Sequence, residues 1–506
     1  MIIDNFAQGF ELFMSWGNVL AILIGVLAGI VFGAIPGLTG TMAVALVLPF
    51  TFSLPPVTGI LLLVGVYKGA VYGGSIPAIL IKTPGTPGGA CTVMDGYPLA
   101  RQGKAGKALN MALYSSACAD FISNLALIFL AGFIAAFALR FGPPEFFALM
   151  CFSLTIIAGV SGSSLMKGLA SAALGLLLAS VGLDIIFGTP RFAFGEVELT
   201  AGINFIPILI GLFAMPEIIN QFTKRYRVTT RIAEAANARV SWQEFKGSIR
   251  SILRGSVIGV VLGAIPGIGG APAAFVSYGA AQRASKNGDN FGKGELEGVA
   301  ASEAGNNGVC GSTMIPLLSL GVPGDVITAV ILGAFMIHGL TPGPLLFQDN
   351  IDIVYAIFCG ILLSSVFMVM WGKLGIRVFA RIADIPNTVL FPVVLVLCVF
   401  GAYAVNSNPF DVLVMFMVGI LGFGMLKANI PPAPFLIAFV LGPMLENNLR
   451  RALQMSNGDY SILLRNEITI FFLALTVVSL ILITIRNLKR WRQRTVARRD
   501  EASAAG

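Results

Sequence analysis

Gly25-Val-Leu-Ala-Gly29-Ile-Val31-Phe-Gly33-Ala34-Ile35-Pro36-Gly37-Leu-Thr39-Gly40 aligns without a gap on Gly255-Ser-Val-Ile-Gly259-Val-Val261-Leu-Gly263-Ala264-Ile265-Pro266-Gly267-Ile-Gly269-Gly270. The offset is 230 residues, and nine of the sixteen positions are identical. A second pair follows in the same order: Ile76-Pro77 and Pro84-Gly85 correspond to Ile315-Pro316 and Pro323-Gly324 at an offset of 239. The nine extra residues fit a longer polar loop, Arg283 to Glu295. One such match is expected by chance in a Gly-rich chain; two in one order point to a duplication.

Each copy is an apolar run interrupted by Pro-Gly, and such runs recur along all 506 residues: Trp16 to Ile35, Leu109 to Leu139, Gly202 to Ile219, Asn387 to Val405 and Ile468 to Ile485 are examples. Hydrophobic residues make up 56% of the chain and charged ones 11%, less than half the usual charged fraction of a soluble domain. A soluble core of this size would need amphipathic covering helices, and few segments keep a polar face. The runs are continuous rather than alternating, which argues against a β-barrel. The expected fold is an all-α polytopic membrane protein with about ten to thirteen spans in two repeated halves with broken helices.

Charge sets the expected topology. Lys224 to Arg254 holds eight Lys or Arg against Glu234 and Glu244, and Arg486 to Arg499 holds seven. Basic loops of this kind stay cytoplasmic, which accounts for the net charge of +8 without nucleic acid. No Lys or Arg precedes Lys68, so the first run lacks a signal's basic flank and is expected to remain as the first span, with the N-terminus outside. The organisation expected is an N-terminal transmembrane repeat (1–223), a basic cytoplasmic linker (224–254), a C-terminal transmembrane repeat (255–465), a last transmembrane helix (466–486) and a basic cytoplasmic tail (487–506). Halves joined after an odd number of crossings are inverted repeats, a common plan of secondary transporters.

Pro and Gly weaken helices, and backbone groups freed in hydrocarbon need partners, so broken helices at membrane depth belong where they line a polar cavity. The breaks cluster at Ala34–Thr41, Thr83–Gly89, Gly263–Gly270 and Gly305–Gly324. Half-helix N-termini there would suit an anion and unwound carbonyls a cation. The candidate substrate and ion residues are Pro36, Gly37, Thr39, Thr41, Ser75, Thr83, Gly85 and Thr86 in the first half. In the second they are Pro266, Gly267, Gly269, Ser302, Asn306, Asn307, Ser312, Thr313 and Gly324. The spacing of Gly25, Gly29 and Gly33 suits close helix packing instead.

Charges near mid-membrane are costly, which singles out Lys68, Lys82, Glu303 and Asp325. Lys68 and Lys82 could equally snorkel to an interface, whereas Glu303 and Asp325 are candidates for a coupling cation or proton. The lone His338 reads as a packed or interfacial residue. The six cysteines are dispersed, without a CxxC, and suggest neither a zinc site nor a disulfide framework. There is no GxxxxGK[ST] and no HExxH, so the chain is not expected to hydrolyse ATP or to be an enzyme.

The chain resembles the large membrane subunit of tripartite tricarboxylate transporters, the TctA family. The resemblance rests on Gly33-Ala-Ile-Pro-Gly-Leu-Thr-Gly40, Tyr72-Gly-Gly-Ser-Ile-Pro-Ala-Ile79, Thr83-Pro-Gly-Thr-Pro87, Asp95-Gly-Tyr-Pro-Leu-Ala100 and Gly263-Ala-Ile-Pro-Gly267. Ser302-Glu-Ala-Gly-Asn-Asn307, Ile315-Pro316 and Gly321-Val-Pro-Gly324 complete it. Lys82 departs from the pattern, where an uncharged residue is expected. The resemblance implies a multi-pass permease of the bacterial inner membrane. Such a permease works with a small TctB-like membrane subunit and a periplasmic TctC-like solute-binding protein, importing carboxylates by an elevator-like motion driven by a sodium or proton gradient, with no cofactor. The competing expectations are the membrane subunit of an ATP-driven importer and, further off, a membrane-embedded enzyme or channel.

Overall fold

The computed structural model describes residues 2–160, 164–184, 187–222, 239–382 and 387–504. The chain is almost entirely helical. In order come α1 (Ile2–Phe13), α2 (Trp16–Ala34), α3 (Gly40–Val47), α4 (Pro56–Gly73), α5 (Ser75–Ile81), α6 (Gly89–Arg101) and α7 (Ala105–Ala138). Next are α8 (Pro143–Val160), α9 (Leu165–Ala179), the hairpin strands β1 (Gly182–Leu183) and β2 (Pro190–Arg191), α10 (Val197–Thr200) and α11 (Phe205–Phe222). The second half begins with α12 (Trp242–Gly263), α13 (Gly270–Ala284), α14 (Leu296–Asn307), α15 (Val309–Ser312), α16 (Met314–Leu320), α17 (Val326–Ile337) and α18 (Leu346–Asp349). It closes with α19 (Ile351–Ile382), α20 (Asn387–Ala404), α21 (Pro409–Lys427), α22 (Pro432–Met455) and α23 (Glu467–Ala504).

Among the described residues, six helices are long and apolar enough to cross a membrane, and six shorter apolar helices of 10–17 residues accompany them. Their outer faces stay apolar without protein cover. In α23 only 6% of the most apolar window is buried, and Phe471 and Leu482 are 57% and 61% exposed. A soluble protein could not leave such a surface in water. This is an all-α polytopic membrane protein, with lipid covering what the chain does not.

Two compact units form, each from two separated stretches: Met1–Leu139 with Asn204–Phe423, and Arg140–Ile203 with Gly424–Gly506. The smaller unit packs α8, α9, α22 and α23, with Gly175 of α9 against the backbone of Phe435. Its buried carboxylate Glu145 accepts from Gly142 N–H (2.7 Å) and Thr469 Oγ1 (2.9 Å). Its hairpin is tied down by Arg191 to Glu446 (2.7 Å) and Arg450 to Asp184 (2.8 Å).

The larger unit is organised by two glycine seams in the same register. Gly25, Gly29 and Gly33 of α2 lie on Gly65, Gly69 and Gly73 of α4. Gly255, Gly259 and Gly263 of α12 lie on Ala304, Gly308 and Ser312, at the same two offsets of 230 and 239. A Cβ on Gly29 would fall 2.9 Å from Gly69 Cα, and one on Gly259 would fall 2.8 Å from Gly308 Cα. Small residues let these backbones touch, as membrane helices require when water supplies no hydrophobic drive. The core alongside is aliphatic, with Val26, Ile30, Ile79, Leu113 and Val299 fully buried together.

Helix extends into both basic segments of the sequence reading. A capping box at Ser241 and Glu244 starts α12 at Trp242, so the last part of the linker is already helix, while residues 224–238 lie outside the described residues. The basic tail continues α23 to Ala504.

Candidate functional site

In both halves of the larger unit the chain turns at a Pro-Gly and restarts a helix. After Pro36, Gly37 (φ 90°) redirects the backbone, and Thr39 Oγ1 caps α3 by accepting from Met42 N–H at 3.3 Å, with Thr41 buried in the first turn. After Pro266, Gly267 (φ 88°) does the same, and Gly269 (φ 68°) opens α13 with no side-chain cap. The glycines are required because an L side chain pays for positive φ.

The second breaks also match. The seven-residue helices α5 and α16 end on a left-handed residue, Lys82 (φ 60°) in one and Gly321 (φ 70°) in the other. Both close with the same long bond, Thr83 N–H to Pro77 O (3.3 Å) and Val322 N–H to Pro316 O (3.2 Å). Lys82 is exposed, and its ammonium lies 5.9 Å from the Tyr97 ring centroid. Since its backbone favours glycine, Lys82→Gly should leave stability unchanged or raise it by up to about 1 kcal/mol, read as an unchanged or slightly higher thermal midpoint of the purified protein. Any change in transport by this variant then reports the lost charge, and a fall in midpoint would show that the side chain supports the fold.

The following N-termini differ in one residue. Thr86 Oγ1 accepts from Gly89 N–H (3.3 Å) at the start of α6. At the equivalent position Asp325 Oδ1 accepts from Thr328 N–H (2.7 Å) at the start of α17, and Thr328 Oγ1 accepts from Asp325 N–H (2.8 Å). One break is therefore capped by a hydroxyl, the other by a carboxylate.

These N-termini meet in pairs: α3 packs against α17, and α6 against α13. Gly40 at the head of α3 faces Ile327 of α17. Nearby, Tyr67 of α4 donates to Asp325 Oδ2 (3.0 Å) and hydrogen-bonds Thr313 Oγ1 (3.1 Å), while Gly267 N–H donates to Gly324 O (2.7 Å). Offset by 239 from Tyr67 stands Asn306, and it occupies the other junction. A Cβ on Gly88, before α6, would lie 3.0 Å from Asn306 Nδ2 and still closer to its Oδ1; a Cβ on Gly270 of α13 would lie 2.5 Å from that Oδ1. The amide thus sits at the heads of two helices. It is 2% exposed, and its Nδ2 has no hydrogen-bond partner among the described residues. A buried amide donor without an acceptor is costly, and two helix N-termini beside it favour negative charge. Donors without acceptors suit a carboxylate.

Three further polar clusters hold the unit together. Lys68 Nζ pairs with Asp120 (2.9 Å), donates to Asn124 Oδ1 (2.6 Å) and to the Ile361 carbonyl (3.3 Å), and is fully buried with Asp120. Asp95 Oδ1 accepts from the N–H groups of Gly292, Gly294 and Glu295 (2.8–2.9 Å) and its Oδ2 from Tyr278 (2.8 Å), latching α6 to α13 and the polar loop. Glu303, also fully buried, contacts Thr92, Ser116 and Asn307. Thus neither Lys68 nor Glu303 lies on a surface, and Lys68 does not snorkel.

Of the residues picked from sequence, Thr86, Asn306, Gly269, Thr313, Gly324 and Asp325 converge on the two junctions. Gly85 approaches the Gly74 backbone so closely that a Cβ would lie 2.9 Å from Gly74 Cα. Ser75 donates to the Tyr72 carbonyl at the end of α4, Ser312 to the Val309 carbonyl of its own helix and Thr83 to Ile81 O at 3.4 Å, so these three serve local backbone. Ser302 and Asn307 belong to the Glu303 cluster. His338 ends α17, with Nε2 3.1 Å from Thr51 Oγ1. Sequence reasoning passed over Tyr67, Thr92, Asp95, Ser116 and Asp120; the repeat offset, which maps Tyr67 onto Asn306, is a signal that finds the first. A surface cavity of about 520 Å³ lined by Gln8, Glu11, Asp349 and Asp352 carries three carboxylates, the wrong sign for an anion.

Comparison with known proteins gives a concordant result. The family model described as tripartite tricarboxylate transporter TctA family matches residues 19–437. An uncharacterised 52.8 kDa protein in the TAR-I ttuC' 3' region of Agrobacterium vitis is 37% identical over 499 residues, covering 99% of both chains. A second uncharacterised protein of that organism, in the TAR-II ttuC' 3' region, is 36% identical over 242 residues, covering 48% of this chain and all of its own. No solved structure matches.

Proposed function

Because the chain belongs to the tripartite tricarboxylate transporter TctA family, we propose that it is the large permease subunit of a binding-protein-dependent carrier that imports carboxylates across the bacterial inner membrane. Its partners in this reading are a small TctB-like membrane subunit and a periplasmic TctC-like binding protein, and a sodium or proton gradient drives it. The observation that carries the reading is Asn306, a buried amide with an unused donor at the heads of α6 and α13. One carboxylate group of the substrate would accept from Asn306 Nδ2 and from N–H groups of those first turns. Gly88 and Gly270 support this reading, because a side chain at either position would collide with the Asn306 amide.

The two junctions are equivalent in register but differ in charge, since Asp325 supplies a carboxylate to α17 while Thr86 and Asn306 at the other are neutral. The protein fills one anion cradle itself and leaves the other for cargo. The paired Gly seams and matched breaks support a duplicated, inverted pair of halves, and an elevator-like motion in which the broken helices travel with the substrate.

The test is uptake of radiolabelled di- and tricarboxylates into proteoliposomes holding this chain and its small partner, with the binding protein outside and sodium or proton gradients imposed separately. Uptake that needs the binding protein and an ion gradient is expected. Uptake that needs ATP and an added ATPase would overturn the reading in favour of an ATP-driven importer.

A further inference from the structure

We propose that Glu303 is the coupling-proton site of the carrier, holding its proton as a neutral carboxylic acid while the Asn306 junction is loaded. This deepens the reading above and rests on it. Hydroxyl groups between α6 and α14 surround the Glu303 carboxyl group. Ser302 Oγ donates to the Val299 carbonyl at 3.0 Å. Thr92 Oγ1 lies 3.1 Å from Ser302 Oγ, where either could donate. A hydroxyl has one hydrogen. Thr92 Oγ1 is placed to donate to Glu303 Oε1 with Ser302 donating to Thr92; if Ser302 donates to Val299 and Thr92 to Ser302 instead, the contact of Thr92 with Glu303 has no hydrogen left. A carboxylic O–H on Glu303 Oε1 supplies it. The other oxygen, Oε2, is an acceptor already engaged by Ser116 Oγ (3.0 Å) and Asn307 Nδ2 (3.1 Å). The cluster accommodates both forms, the carboxylate with both oxygens accepting and the acid with Oε1 donating and Oε2 accepting, and the acid is the form that needs no counter-ion.

Charge points the same way. Glu303 is fully buried, and the ion pairs of the described residues do not include it. Within electrostatic reach are Tyr72 of α4 and Cys91 of α6, both neutral groups. Charged and titratable groups on the other packed elements are committed elsewhere: Lys68 to Asp120, Asp95 to Tyr278 and three backbone N–H groups, Arg254 to the Ala280 carbonyl. A buried carboxylate without a counter-cation is expensive, and protonation removes the cost.

The placement explains coupling. Asn306 follows Glu303 by three residues on α14, and Thr92 follows Gly89 by three on α6, so proton and substrate share the same two helices within about one turn, roughly 5 Å. A charged Glu303 would repel the bound carboxylate; a proton on it favours loading. When the proton leaves, the step is carboxylic acid to carboxylate plus a proton. Thr92 then turns its hydrogen to Glu303 and Ser302 turns its own to Thr92, releasing Val299. Loss of the proton therefore both raises negative charge beside the cargo and reverses the bonds joining α6 to α14.

The experiment uses the reconstituted complex with binding protein, a sodium-free buffer and trapped pyranine. Wild type should acidify the lumen when a carboxylate is added outside, and accumulate it about tenfold per imposed pH unit for each coupled proton. Glu303→Gln, which keeps an N–H donor toward Thr92 but no removable proton, should still exchange internal for external carboxylate, while accumulation driven by the pH gradient and lumen acidification are lost. In a parallel run with an imposed sodium gradient and no pH gradient, accumulation with no pyranine signal in wild type would overturn the proposal without any variant. So would gradient-driven accumulation by Glu303→Gln. No binding-protein-dependent uptake by wild type under any ion gradient would instead sink the carrier reading on which this one stands.

Discussion

Asn306→Asp should fold and yet lose carboxylate uptake by at least about a hundredfold. A carboxylate at the heads of α6 and α13 is welcome to the helices, which lack an acidic cap, just as Asp325 is at the head of α17. The same charge faces the incoming cargo. Two like charges about 4 Å apart at an effective dielectric of 20 repel by roughly 4 kcal/mol, between two and three powers of ten in affinity. Asn306→Ala removes a donor without adding charge, and should cost roughly tenfold, the worth of one hydrogen bond to a charged group. Initial uptake rates in proteoliposomes separate the three proteins, and a thermal midpoint near wild type for the Asp variant shows that its loss is not unfolding. If Asn306→Asp transports within a few-fold of wild type, the α6/α13 junction does not hold the substrate.

Replacing Lys68 alone should produce the largest loss of stability. Its ammonium ties α4 to Asp120 and Asn124 of α7 and to the Ile361 carbonyl of α19, with Ser365 of α19 also donating to Asp120 (2.6 Å). Lys68→Ala leaves Asp120 buried without its cation, a cost of about 3–5 kcal/mol. The purified variant should unfold at a clearly lower temperature or be recovered poorly from membranes. Lys68→Met combined with Asp120→Leu removes both charges and should be more stable than either single change, because a dry pair of apolar side chains often matches a buried ion pair. A Lys68→Ala protein as stable as wild type would mean that Asp120 reaches solvent or is neutral. A double variant worse than both singles would mean that the network's other hydrogen bonds, rather than the charges, hold these helices.

The motifs that were readable in the chain are those whose physics is local. A Pro-Gly followed by Thr or Asp predicts a turn and a capped helix, and Thr39, Thr86 and Asp325 take those places. Gly25, Gly29 and Gly33 predict a packing seam because their spacing alone puts them on one helix face, and α4 lies against it. The polar candidates were harder. Asn306 and Asn307 are neighbours of one residue type, yet one reaches the α6/α13 junction and the other Ser116 and Glu303. Adjacent positions on a helix point about 100° apart, and which direction finds which partner is not a property of the segment.

By itself, then, the order of residues determined that this protein lives in a bilayer, that its helices break at matched places in two halves, and to which family it belongs. Composition, spacing and the restricted backbone of Pro and Gly act over a few residues, so they survive in the sequence. Only the tertiary structure decided which breaks face each other, that one junction carries its own carboxylate and the other an unused amide donor, and that Lys68 has a counter-ion while Glu303 has none among the described residues. Lys68 meets Asp120 across 52 positions, Thr92 meets Glu303 across 211, and Tyr67 meets Thr313 across 246. The electrostatic cost of a buried group depends on such partners, and they are brought together only when the helices pack.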